Sequence, residues 1–260
     1  MSFKLLELIF QIGKFLAITP STIKVKNVTT VEKWHAIFML AFYTVAVLIS
    51  CIYRASSYRA FIHIRLTIHV MLDTTLYMFS ICTILTAFRR RQWYRLMKNL
   101  RNVRSFRNNS EQSHYRSFVV LNLIYWVVIS YLGWIFYGTM GMEFFKQYGI
   151  EYLQIYTQFL ISFLMYAILK MLKKRYHSVK NSLLMKKFEV SLIKYDIRVL
   201  KECVDIFNRI FGWPFLMNIV YASLQILIYL SNIFLISSKF KLTLVISNIN
   251  VILLYCVSYC

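Results

Sequence analysis

"HIRLTIHVMLDTTLYMFSICTILTAFRRR" (63–91) is an apolar run that stops on three consecutive arginines. Crossing the hydrocarbon of a bilayer as helix takes about twenty apolar residues. Counting that far back from Phe88 reaches His69, so the arginines set the depth of everything between. The run also places Arg65, His69 and Asp73 at four-residue steps, on nearly one face of a helix. Arg65 then falls in the outer interface, and Asp73 lies about 6 Å below His69 at ~1.5 Å per residue. A stack at the helix mouth, with Arg65 snorkelling outward, accounts for the stripe without any site. Asp73 is nonetheless the one acidic residue inside a predicted span, where ionisable groups face a bundle interior or a wet cavity. A polar, water-accessible pocket is expected at this end.

The rest of the chain extends the pattern. It is 59% hydrophobic and only 16% charged, against roughly 45–50% and about 25% in soluble domains. Its apolar residues gather into span-length runs at about 35–53, 64–88, 118–138, 152–172 and 212–236, with a sixth, more polar, at about 240–259. Backbone groups facing lipid must pair within their own segment, so each run is expected to be continuous helix. The predicted fold is all-α: a polytopic transmembrane helical bundle, one transmembrane domain over residues 1–260. Pro214 is placed in the first turn of the fifth span, where its missing donor costs least.

The net charge of +21 invites nucleic acid, but its distribution argues for membrane topology. Of the lysines and arginines, 25 fall in the N-terminal segment, the second-to-third connection and the stretch from Lys170 to Arg209. The alternate connections hold 5, and Arg65 is the remaining cation. That is the positive-inside pattern, with the N-terminus and both large basic connections in the cytoplasm. No nucleic acid is expected. The triple arginine acts as a topology stop and a contact for anionic membrane lipid.

Two soluble-side segments have internal pattern. In "FKLLELIFQIGKFLAI" (3–18), Lys4, Glu7, Gln11 and Lys14 share a narrow face, which reads as a helix on the membrane or docked on other spans. Across 173–211 there is no Pro or Gly, and Ile193, Ile197, Leu200, Val204, Phe207 and Phe211 recur at packed-seam spacing. The fourth and fifth spans are expected to continue into the cytosol as helices. Their seam serves either subunit assembly or an internal hairpin.

Candidate ligand groups converge at the outer level of Asp73. They are His69 and Asp73, then Trp134, Tyr137, Tyr152 and Tyr156, with Gln225, Tyr229 and Asn232 on the fifth span. Aromatic walls with a few polar groups suit a small organic ligand; the same residues also form interfacial belts without one. No acid–base or metal set is gathered within the spans, so no enzyme, metal or cofactor is expected. Cys51, Cys82, Cys256 and Cys260 lie in spans and Cys203 in a cytoplasmic connection, which leaves no external disulfide framework.

"IFNRIFGWPFLMNIVYASLQILIYL" (206–230), with an Asn before a Phe-Gly pair, resembles the insect gustatory receptor family. "LKMLKKRYHSVKNSLL" (169–184) is similar to that family's cytoplasmic extension of the fourth span, and "IFQIGKFLAITP" (9–20) to its N-terminal segment. The resemblance implies seven spans, a plasma-membrane location and a homo- or hetero-tetrameric, tastant-gated cation channel. The family's Thr-Tyr and Gln-Phe pairs of the seventh span have no counterpart, and "YTQF" (156–159) stands in another span. A chain lacking the pore-lining span, unable to conduct alone, is therefore expected. A G-protein-coupled-type receptor or a small secondary transporter are the alternatives. The former calls for an external N-terminus and a Pro-bearing last span, the latter for related halves.

Overall fold

Long apolar runs with few Gly and Pro leave the backbone one economical choice, and the chain takes it. The computed structural model describes residues 3–20, 29–58, 63–103, 111–184 and 190–236, and every element among them is helical. These are α1 (Phe3–Phe15), α2 (Thr30–Tyr58), α3 (His63–Phe88), α4 (Arg90–Asn102), α5 (Glu111–Met140), α6 (Glu143–Leu184) and α7 (Val190–Ile236). Five helices, all but α1 and α4, contain stretches long and apolar enough to cross a membrane. They carry the first five predicted spans. The sixth, 240–259, lies outside the described residues.

Several helices outlast their apolar runs. α6 begins at Glu143, not near 152, and its 42 residues extend about 63 Å at ~1.5 Å per residue. Only two residues then separate α5 from α6. Gly141 makes this possible with φ 62, donating its N–H to Tyr137 O at 2.8 Å as the cap of α5. α7 likewise starts at Val190, so Pro214 stands inside a helix and not in a first turn. There it removes the bond to Ile210 O. One residue earlier, the Arg89 guanidinium donates to the carbonyl of Arg209.

The chain divides into two compact units. The first comprises residues 1–37, 83–117 and 160–213. Its centre is Trp93, fully buried, with Phe10 and Phe211 edge-on at 5.3 and 5.2 Å and its indole N–H donated to Thr86 O. Such edge-to-face pairs add to the burial of apolar area. α1 buries one face: Leu5, Leu6, Ile9 and Phe10 are all buried. The basic connection after α3 is no plain loop either, because α4 turns Trp93, Leu96, Met97 and Leu100 inward. Arg90, second of the three arginines, is buried and paired with Glu32.

The second unit comprises residues 38–82, 118–159 and 214–260. One cluster packs Leu72 and Leu76 of α3 against Tyr221, Leu224 and Ile228 of α7. Its α2 segment inverts the soluble rule. Phe38, Phe42, Val45, Leu48 and Ile52 are exposed, while Tyr43, Ser50 and Arg54 are buried. That polarity suits a segment whose surroundings are hydrocarbon.

Candidate site: a buried ion cluster beside an aromatic pocket

Within the second unit, α6 presents Gln147, Glu151, Gln154 and Gln158 at steps of four, three and four, so they share one face. The three glutamines are buried. Polar partners converge on this stripe. Gln158 donates to Asn218 of α7, Thr157 exchanges a hydroxyl bond with Tyr43 at 3.0 Å, and Tyr156 donates to Asn122 of α5 at 3.2 Å.

At the Glu151 level the polar groups are charged. Arg54 of α2 donates from Nη1 to Asp73 Oδ1 at 2.9 Å and to Glu151 Oε2 at 3.4 Å. Its Nη2 donates to Ser50 Oγ at 2.8 Å, and Ser50 donates to Gln147 O. The side chains of Arg54, Asp73 and Glu151 are 6%, 11% and 20% exposed, so this is an interior ion cluster joining three helices. One guanidinium thus serves two carboxylates. Gln147 Oε1 and Gln154 Nε2, a turn to either side of Glu151, are buried with no protein hydrogen-bond partner. Such groups are costly unless a water or polar ligand meets them.

Of this trio the sequence singles out Asp73, and not Arg54 or Glu151. Asp73 is ion-paired with Arg54 of α2. Glu151 is a further acidic residue inside a candidate span, so Asp73 is not alone. Both missed residues stand one position outside the predicted spans 35–53 and 152–172. His69 is half-buried one turn from Asp73, and the Arg65 side chain lies outside the described residues.

The aromatic candidates divide. Trp134, Tyr137 and Tyr152 line one pocket of about 530 Å³ with Ser130, Gly133, Phe144 and Gly149. This is within the ~300–1,000 Å³ range of small-molecule sites. Tyr156 packs elsewhere, against Tyr125 and Trp126. Gln225 donates to Tyr221 on its own helix at 3.0 Å, and the side chains of Tyr229 and Asn232 lie outside the described residues. The pocket and the ion cluster nevertheless touch. Phe144 contacts Tyr152 at 5.7 Å and Tyr148 at 5.8 Å, and the Arg54 guanidinium lies 5.3 Å from the Tyr148 ring.

Of the seam residues, Ile193, Leu200 and Phe211 are buried within the chain itself, Val204 and Phe207 are half-buried and Ile197 is exposed. Among the described residues no group of His, Cys, Asp and Glu side chains has the arrangement to hold a metal ion. No protein-family model, no curated protein and no solved structure matches this chain.

Proposed function

We propose that this chain is a subunit of a tastant-gated cation channel of the gustatory receptor kind. It is seated in the plasma membrane with its N-terminus in the cytoplasm, as the 25-to-5 asymmetry of basic residues calls for. The observation that carries the proposal is the aromatic pocket and its contact with the ion cluster. A small organic molecule against Phe144 and Tyr152 presses on the ring set that positions Tyr148, and Tyr148 holds the guanidinium on which α2, α3 and α6 converge. Binding energy in the pocket is thereby available to shift three helices between two arrangements. The tetramer is formed with copies of this chain or with related subunits. α6 and α7 extend beyond the bilayer on the cytoplasmic side.

The test co-expresses the chain with a full-length related receptor subunit and records cation current evoked by small organic compounds. Phe144→Ala and Tyr152→Ala should each raise the half-maximal concentration about tenfold, the cost of truncating a buried aromatic contact. A dose response unmoved by either, with surface expression intact, overturns the proposal. A small secondary transporter is the second reading, favoured by the buried Arg–Asp–Glu cluster. It predicts substrate uptake without ligand-gated current.

A further inference from the structure

The first unit holds a pocket of its own. It encloses about 420 Å³ between the end of α1, the start of α2 and the end of α3. Phe15, Val31, Ala36, Ala87 and Phe88 supply apolar wall, and Lys14 and His35 line it as well. Ala87 and Phe88 form the last apolar turn before Arg89–Arg91, and Val31 is in the first turn of the α2 span. On the membrane reading, which this inference shares, the pocket therefore lies where acyl chains meet headgroups.

The chain builds this wall with a fixed hook. After α1 the backbone turns at Ala17, whose φ is 55. Ile18 N–H returns to Gly13 O at 2.9 Å, and Thr19 Oγ1 donates to Phe10 O at 3.0 Å. Only glycine fits at position 13, because a Cβ there would stand 2.6 Å from Thr19 Oγ1. A non-glycine residue keeps a positive φ only where its surroundings fix it, and such positions gather at ligand sites. Ala17, Thr19 and Pro20 of this hook all line the pocket.

Charge selects the occupant. Glu32, the acidic residue among the lining, is bonded to buried Arg90 and accepts from Thr29 N–H at 3.0 Å. Lys14 is exposed and makes no ion pair among the described residues, so the mouth presents positive charge beside exposed Phe15 and Val31. Apolar walls under a cationic mouth at the depth of the headgroups match one class of molecule. We propose that this pocket binds a single anionic phospholipid of the adjacent leaflet, with an acyl chain between Ala36 and Ala87 and the phosphate at Lys14.

The test purifies the whole chain in a mild non-ionic detergent and measures lipid retention by native mass spectrometry. Phosphatidylserine and phosphatidylcholine of identical chains are added in turn. One phosphatidylserine per chain should be retained, about tenfold more strongly than phosphatidylcholine, and Lys14→Glu should abolish that preference. Ala87→Trp, and independently Ala36→Trp, should fill the cavity and remove retention of both lipids while helical content by circular dichroism stays unchanged. Soluble glycerophosphoserine should not compete, whereas competition by palmitate alone would overturn the phospholipid assignment in favour of a fatty acid. Equal retention of the two lipids, or retention undiminished in both folded tryptophan variants, overturns the proposal. None of these outcomes depends on ligand-gated current, so this inference fails separately from the channel reading.

Discussion

Arg54→Met removes a guanidinium that two interior carboxylates share, and the cost follows from the geometry. Asp73 and Glu151 both accept from Nη1, at 2.9 and 3.4 Å. Breaking a buried ion pair by deleting one partner costs ~3–5 kcal/mol, because the charge left behind is uncompensated. Glu151 is 20% exposed and recovers part of its solvation, so the lower figure, about 3 kcal/mol, is expected. A chain of this size loses roughly 2–4 °C of Tm per kcal/mol, which gives a drop of about 6–12 °C. The assay is thermal unfolding in detergent, followed by circular dichroism and by tryptophan emission. The stronger half of the experiment is the rescue. Adding Asp73→Asn and Glu151→Gln to Arg54→Met makes the cluster neutral, and neutral replacement of a buried ion cluster is often harmless. The triple variant should therefore melt well above the single one. If the triple variant melts as low as Arg54→Met, the loss comes from packing of the arginine stem and the electrostatic account is refuted.

Further outcomes follow from other parts of the molecule. Gly13→Ala places a methyl on Thr19 and should cost ~1–3 kcal/mol by overpacking; Thr19→Ser in that background leaves the Oγ contact and recovers only part, as the same melting assay will show. Trp93→Ala empties the space between Phe10 and Phe211 and should cost ~3–5 kcal/mol, with proteolysis near α4 as the readout. The proposed orientation puts the sequons at Asn27 and Asn108 in the cytosol; a glycosidase-sensitive mass shift that vanishes in Asn27→Gln would reverse it.

What was legible in the sequence was the course of the chain through five apolar runs, because hydropathy and the Arg89–Arg91 stop report the same boundary. What was not legible lay at the run ends. Arg54 and Glu151 were assigned to connections since hydropathy marks where apolar side chains stop, whereas a helix stops only when its hydrogen bonds do. α2 runs on to Tyr58 and α6 starts at Glu143, so both charges end up inside helices and find Asp73. α4 was hidden by its charge. Trp93, Leu96, Met97 and Leu100 have helical spacing, yet the arginines around them drew the segment toward topology alone. The first-turn assignment of Pro214 fails for a related reason, since it requires a helix to begin there and α7 begins at Val190. Depth in the membrane singles out the candidate aromatics, and depth does not say which face a residue takes. Trp134, Tyr137 and Tyr152 share a pocket, while Tyr156 turns to Tyr125.

The most direct measurement of the central claim uses Gly149→Cys in a background without native cysteines. Gly149 lines the aromatic pocket, and a Cβ there meets no heavy atom within 4 Å, so the thiol projects into open space without disturbing the walls. A membrane-impermeant thiol reagent is applied to the outside of intact cells, and labelling is timed with and without a compound that evokes current. The account predicts labelling from outside that the compound slows saturably, with a midpoint matching its half-maximal concentration for current. Labelling only after permeabilisation, or labelling from outside at a rate the compound never changes, would contradict it.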